Sequence, residues 1–234
     1  MLKIDKRKSL FTVLDVEACN TAVDEMRSSL VYDLGYAIVD KQGNVYLTRN
    51  FVIYEIYVLE KELMKSAYYA DKLPQYEEDL KNGVRQMVTM KTALKIFRED
   101  CKKFGVKAII AHNARFDYNA LQKTLRYITK SEKRYFFPYG IAIWDSMKMA
   151  EDTICKQALY KRYCAENNYL RKNGTPRATA EILYRYISND DNFNEKHTGL
   201  EDVLIEKEIF TKCLRQHKRM RKNLFSNSRL AIAC

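Results

Sequence analysis

Three segments near the start of the chain have the hydrophobic pattern of β-strands. Residues 9–18 (SLFTVLDVEA) are largely apolar and β-branched, which is typical of a strand buried on both faces. Residues 30–40 (LVYDLGYAIVD) alternate between apolar and polar positions, and residues 45–57 (VYLTRNFVIYEIY) follow after the turn KQGN. The pattern predicts a three-stranded antiparallel meander with a hairpin turn at Gly43.

Helical periodicity follows from about 58 to 104, in VLEKELMKSAYYADKL and VTMKTALKIFREDCKKF. Two further short apolar strands are predicted at 106–113 (VKAIIAHN) and 139–146 (YGIAIWDS), with a helix between them. Beyond about 147 the pattern is helical and ends in a basic tail, 215–234. This order predicts an α/β domain: a mixed five-stranded sheet flanked by helices. Only seven glycines and three prolines occur, too few for a long linker, so we expect residues 1–234 to form a single domain.

The composition indicates a class of binding partner and a cellular compartment. The 234 residues include 41 basic and 30 acidic side chains, a net charge of +11. That excess suits a polyanionic partner such as nucleic acid, although an ordinary basic soluble protein has the same balance. The six cysteines show no paired spacing, so we expect reduced thiols, no zinc site and a cytoplasmic location. No apolar run reaches the ~18 residues needed to cross a membrane, and no membrane partner is expected.

Two carboxylates interrupt the first predicted strand. Asp15 and Glu17 are two residues apart, so both side chains point to the same face of the strand. Like charges on a buried strand repel each other and lose hydration, and this requires a cation, a basic partner or an exposed strand end. The pair alone does not decide between these.

Two more acids occupy the first turns of predicted helices. Asp117 follows Asn113, a suitable N-cap, and Asp202 follows a capping box formed by Thr198 and Glu201. Both aspartates fall on the apolar stripe of their helix, where an unpaired acid is unusual. Stabilisation of the helix dipole is the simpler explanation for Asp117.

Taken together, these four carboxylates suit a site for hard cations such as Mg²⁺ or Mn²⁺. Two such ions ~3.5–4 Å apart activate water and stabilise the leaving oxygen in phosphodiester hydrolysis. A nearby histidine with a pKa of ~6.5 suits the proton transfer. Both His112 and His197 stand five residues before an aspartate. We assign His197 to this role, because His112 ends an apolar strand, where packed histidines are common.

The ordered motifs Asp15-x-Glu17, HNARFD ending in Asp117, and His197-x4-Asp202 resemble those of the DEDDh 3′→5′ exonucleases. This group includes the exonuclease (epsilon) subunit of DNA polymerase III and stand-alone phage and bacterial enzymes. The resemblance covers residues 9 to about 215. It implies an RNase H-like sheet in the order 3-2-1-4-5, with strand 2 antiparallel.

The resemblance also implies roles for individual residues. Asp15, Glu17, Asp117 and Asp202 would bind two divalent cations, and His197 would be the general base. Backbone groups near Val16 and Ala18 would receive the 3′-hydroxyl of the substrate. Asn113 and Phe116 would shape the pocket for the terminal nucleotide.

The sequence departs from the family in two places. Many members follow D-x-E with Thr-Thr-Gly or a similar triplet, whereas this chain has Ala18-Cys19-Asn20. The helical excursion at 58–92 has no counterpart in the smallest members. Its tyrosines (Tyr68, Tyr69 and Tyr76) either stack on bases over the active site or pack an amphipathic helix against the domain.

The sequence therefore predicts an enzyme, a 3′→5′ exonuclease that hydrolyses single-stranded DNA to 5′-mononucleotides. The alternatives are an exoribonuclease with the same active site, a non-catalytic nucleic-acid-binding module, and a proofreading subunit associated with a polymerase or another replication protein. The presence of all four carboxylates argues against the non-catalytic module.

Overall fold

The computed structural model describes residues 8–19, 29–65, 67 and 70–225. Six strands form one mixed sheet in the order β4-β3-β2-β1-β5-β6. β2 runs antiparallel to β1 and β3, and the remaining neighbouring pairs are parallel. The strands are β1 (Leu10–Cys19), β2 (Leu30–Asp40), β3 (Val45–Ile53), β4 (Gln86–Val88), β5 (Ala108–Ala111) and β6 (Ala142–Asp145).

The order and direction of the five predicted strands are confirmed, since β3-β2-β1-β5-β6 is the expected order with an antiparallel second strand. The predicted number of strands is wrong, because β4 pairs with β3 at the edge of the sheet. β4 has three residues, too few to show an alternating pattern. The third strand ends at Ile53 rather than 57, and the chain turns there into a helix.

Helices cover both faces of the sheet. They are α1 (Tyr54–Tyr57), α2 (Lys61–Met64), α3 (Leu73–Lys81), α4 (Met90–Phe104), α5 (Arg115–Thr129), α6 (Ser146–Asp152), α7 (Ala158–Glu166), α8 (Ala180–Ser188) and α9 (Gly199–Arg215). In the described part of the chain, no helix combines the length and the apolar character that crossing a membrane requires.

The alternation of β1 divides the core into two layers. Leu10, Leu14 and Val16 pack in the layer that contains α4 and α5. Phe11 and Val13 pack in the other layer, with α6, α8 and α9. Because side chains alternate along a strand, Asp15 and Glu17 extend the second set and face α9. The central strand therefore presents its two acids to the helix that carries Asp202.

The excursion at 58–92 is only partly helical, since it contains α2, α3 and the strand β4. Tyr76 is fully buried, so of the two alternatives for this residue it packs against the domain and does not stack on bases. Its hydroxyl donates to Asp33 Oδ2 (2.6 Å), and the Arg85 guanidinium lies 4.0 Å from the centre of its ring. Tyr68 and Tyr69 lie outside the described residues, as does Asn20 of the Ala18-Cys19-Asn20 triplet.

Part of the basic tail is integrated into the domain. The Asp145 N–H donates to the Lys222 carbonyl (2.7 Å), and the Leu224 N–H donates to the Ile143 carbonyl (2.9 Å). Leu224 is buried in the core layer of α4 and α5. The tail thus continues the sheet beyond β6 as far as 225, and residues 226–234 lie outside the described part.

Candidate active site

Three of the predicted carboxylates meet above the centre of the sheet. One ligand oxygen each from Asp15, Glu17 and Asp202 lie within 4.8 Å of one another. Asp15 and Glu17 come from β1, whose pairing with β2 shifts register between Glu17 and Ala18. Asp202 comes from the first turn of α9. Segments that are more than 180 residues apart in the sequence thus place their carboxylate oxygens close together.

A contact between two glycines lets α9 approach the sheet this closely. Gly35 pairs with Asp15 in the sheet, and a Cβ built on Gly35 would lie 2.2 Å from the carbonyl carbon of Gly199. No side chain other than hydrogen fits at that separation. The Gly199 N–H also donates to Asp33 Oδ2 (2.9 Å), which holds the first turn of α9 against β2.

The predicted capping box at the start of α9 is only partly correct. α9 begins at Gly199 with Thr198 as the N-cap residue, as expected. However, the Thr198 hydroxyl donates to the Glu201 carboxylate instead of accepting a backbone N–H. Asp33, from a neighbouring strand, accepts the Gly199 N–H. The hydrogen bond to Asp33, which is distant in the sequence, therefore replaces part of the local capping box.

Asp117 reaches the site from the first turn of α5 and is 2 % exposed. The N-cap predicted at Asn113 is wrong by one residue, since Ala114 occupies that position. Asn113 adopts a left-handed conformation (φ 62°), and its N–H donates to Asp145 Oδ1 (3.2 Å). Asp145 also caps α6 by accepting the Met147 N–H.

Burial and like charges govern the protonation of these acids. Burial raises the pKa of Glu17 to about 9, with the Asp33 charge as the next cause. Burial likewise raises the pKa of Asp117 and of Asp202 to about 8. The pKa of Asp15 is raised well above its ordinary value by burial and then by neighbouring carboxylates, Glu206 first.

The donor set fits a hard divalent cation. Asp117 Oδ1 and Asp202 Oδ1 are buried and have no hydrogen-bond partner among the residues that the structure describes. A buried carboxylate oxygen without a partner costs on the order of 1–3 kcal/mol, and more when it is charged. Ligation by several carboxylate oxygens would remove that cost and suits Mg²⁺ or Mn²⁺ better than zinc.

The two histidines have different surroundings. His197 lies just before α9 in a left-handed conformation (φ 53°), with its side chain 31 % exposed. Its Nδ1 lies 4.0 Å from Glu195 Oε2, and burial lowers its pKa. His112 has a protein partner at each ring nitrogen: the Ser146 hydroxyl (2.9 Å) and the Ala178 carbonyl (2.6 Å). Both ring nitrogens of His112 are therefore engaged by protein partners.

The predicted substrate-binding residues lie around the same cluster. Asn113 is exposed and Phe116 is half-buried, on the loop and first turn that carry Asp117. Val16 is buried and Ala18 is half-buried, beside the shift in register of β1. Their backbone groups flank Glu17.

Sequence reasoning missed three acids at this site. Asp33 pairs with Glu17 across the sheet and forms a buried ion pair with Arg85 (2.8 Å). Burial raises the pKa of Glu195 to about 7. Glu206 lies one turn after Asp202 on α9 and is 3 % exposed. The spacing of Asp202 and Glu206, four residues along an apolar stripe, was the only signal available for any of them.

Comparison with known proteins gives a fold but no sequence relative. No family model matches the chain, and no curated protein matches its sequence. The structure is similar to that of a 3′-exonuclease solved for its 3′-end specific recognition of a histone mRNA stem-loop. That similarity has a TM-score of 0.56 at 9% identity and covers 93% of this chain and 86% of the other.

Cell-death related nuclease 4 is also similar, with a TM-score of 0.54 at 9% identity, over 92% of this chain and 67% of that one. At such low identity the likeness concerns the fold. The chain therefore has the RNase H-like fold of these nucleases, a mixed sheet flanked by helices.

Proposed function

We propose that this chain is a divalent-cation-dependent 3′→5′ exonuclease that hydrolyses single-stranded DNA to 5′-mononucleotides. The observation that carries the proposal is the convergence of Asp15, Glu17 and Asp202 within 4.8 Å. Asp117 adds a buried, unpartnered oxygen nearby. This cluster lies on a fold shared with a 3′-exonuclease.

Two cations, Mg²⁺ or Mn²⁺, would be held by Asp15, Glu17, Asp117 and Asp202. When bound, they would supply positive charge for the scissile phosphate and a water of lowered pKa. With this cluster neutralised, the carboxylates stay ionised and serve as ligands. Without cations, the buried carboxylates lose hydration and repel one another, and both effects raise their pKa values.

His197 would accept the proton of the attacking water. Burial lowers its pKa, so its ring is neutral near pH 7 and able to take a proton. Water adds to the phosphorus, and the bond to the 3′ oxygen of the penultimate nucleotide breaks. That oxygen takes a proton from solvent and leaves as a hydroxyl, and the terminal nucleotide is released as a 5′-monophosphate.

Residues next to the acidic cluster would select the 3′ end of the substrate. Backbone groups of Val16 and Ala18 would receive the terminal 3′-hydroxyl, and Asn113 with Phe116 would border the terminal base. The net charge of +11 favours a polyanionic substrate. We propose stand-alone action, with an association with a polymerase as the alternative.

A second candidate is an exoribonuclease. The similarity to a 3′-exonuclease solved for recognition of a histone mRNA stem-loop supports it. The catalytic carboxylates would be the same for either sugar, since recognition of the 2′-hydroxyl depends on a few local contacts.

A cytoplasmic location is also a proposal. Among the described residues the cysteines are buried free thiols, at 19, 101, 155, 164 and 213. Unpaired thiols are typical of a reducing compartment.

The test uses 5′-labelled single-stranded DNA and RNA of one sequence, with chelator, Mg²⁺ or Mn²⁺. Shortening by single nucleotides from the 3′ end should require the cation and disappear in Asp117→Asn. The control Glu132→Gln changes an exposed acid in the loop after α5 and should keep full activity. Faster loss of RNA would favour the second candidate. Undiminished activity in chelator or in Asp117→Asn would refute the cation mechanism.

A further inference from the structure

Glu206 is a buried acid with no assigned role. It lies in α9 one turn after Asp202 and is 3 % exposed. Its Oε2 is buried without a hydrogen-bond partner. No ion pair to Glu206 is present in the parts of the chain that the structure describes. A glutamate in the middle of a helix is normally exposed or paired.

Its closest charged surroundings are the carboxylates of the proposed site. Asp117 exerts the largest charge effect on Glu206, followed by Glu195 and Asp202. In return, Glu206 exerts the largest charge effect on Asp15. The backbone N–H of His112 offsets only part of this repulsion. The Glu206 charge and the charges of the proposed cation ligands therefore repel each other in the cation-free protein.

The buried position of Glu206 destabilises the cation-free protein. An isolated buried carboxylate loses its hydration and is repelled by each of these acids. A methionine or leucine would fill the same volume in α9 without that cost. The unpartnered Oε2 is a hard oxygen donor of the same kind as those of Asp15 and Asp117. A divalent cation is the partner that satisfies both its charge and its free oxygen.

We propose that Glu206 is a fifth carboxylate of the cation site, contributing its buried Oε2 as a further oxygen donor one helical turn after Asp202. The proposal rests on the proposed function, because it presupposes that cations bind there. It assigns Asp202 and Glu206, one helical turn apart, to the same task. Glu206 thereby fixes α9 to the cations at a second point.

The experiment measures Mn²⁺ binding by calorimetry and the thermal midpoint in chelator and in Mn²⁺, for the wild type, Glu206→Gln and Glu208→Gln. Glu208 lies on the same helix, is half-exposed and pairs with Lys207. Glu206→Gln should bind Mn²⁺ at least ~10-fold more weakly and show a smaller midpoint rise on Mn²⁺ addition. Its midpoint in chelator should equal or exceed that of the wild type. Glu208→Gln should match the wild type throughout.

Glu206→Met, which keeps the length of the side chain and removes its oxygens, repeats the test if Glu206→Gln does not fold. Wild-type Mn²⁺ affinity in a folded Glu206 variant would overturn this proposal and leave the proposed function standing. Absence of Mn²⁺ binding by the wild type would overturn both. Loss of affinity in Glu208→Gln equal to that in Glu206→Gln would also overturn it, because the effect would then belong to α9 as a whole.

Discussion

Gly35→Ala tests whether the approach of α9 to the sheet sets the geometry of the acidic cluster. In the structure, an added Cβ would lie 2.2 Å from both the Gly199 carbonyl carbon and the Leu200 nitrogen. Ordinary van der Waals contact begins near 3.4 Å, so the two backbones must separate by more than 1 Å. Neither is the tip of a flexible side chain, so the start of α9 must move.

We expect Gly35→Ala to affect both the unfolding free energy and the rate of hydrolysis. Forcing one extra carbon into a packed site costs about 1–3 kcal/mol of unfolding free energy. A displacement of about 1 Å in a catalytic group can lower the rate by about 10²-fold. Asp202 is three residues after Gly199, so its oxygen moves away from those of Asp15 and Glu17. We expect the rate and the Mn²⁺ affinity to fall more than the loss of stability explains.

Leu183→Ala is the matched control. Leu183 is fully buried in the core layer that contains α9, and its truncation should cost about 2–5 kcal/mol. Urea unfolding, Mn²⁺ titration and hydrolysis of labelled DNA are measured for both variants below their unfolding transitions. Gly35→Ala should lose at least ~10-fold in Mn²⁺ affinity and about 10²-fold in rate, whereas Leu183→Ala keeps both. Wild-type binding and rate in Gly35→Ala would refute the reasoning.

Three further predictions concern other parts of the molecule. His197→Ala should lower the rate by roughly 10²–10⁴-fold and remove the acidic limb of the pH–rate profile; the same result in His112→Ala instead would reverse the assignment. In chelator, the unfolding free energy should fall as the pH rises from about 4 to about 8. The folded pKa values of Asp117 and Asp202, about 8, lie above the ordinary value of 3.8, so the stability present below the ordinary value is lost as the pH rises to the folded one; urea unfolding that is flat or rising between these two pH values would contradict it. Leu224→Ala should lower the unfolding free energy by about 2–4 kcal/mol, and an unchanged urea midpoint would show that the tail is not packed as described.

Most of the sheet was predictable because its strands carry a strong local signal. β1, β2, β3, β5 and β6 are apolar or alternating runs, and this pattern determines both their existence and the faces that they bury. β4 gave no signal, since its three residues depend on pairing with β3 rather than on their own pattern. The left-handed conformation of Asn113 was also hidden, because asparagine suits an N-cap and this conformation equally well.

The site was predictable to the extent that its residues occur in ordered motifs. Asp15, Glu17 and Asp202 are brought together as the spacing suggested. Glu206 was hidden, because glutamate in a helix is ordinarily exposed or paired, and its position on the apolar stripe of α9 was the only sign of its burial. The burial of Tyr76 depends on its hydrogen bond to Asp33, which lies 43 residues before it along the chain.

The ion pair of Asp33 with Arg85 has a consequence for any attempt to reduce this chain to a smaller nuclease. Asp33 stands opposite Glu17 in the sheet, and Arg85 belongs to the segment 58–92. Removing residues 58–92 would take away the guanidinium and leave the Asp33 charge without its ion pair beside the acids of the proposed site. A minimal version would need Asp33→Asn in the same step. Residues 58–92 thus neutralise a buried charge of the domain. They cannot be deleted without a compensating change at Asp33.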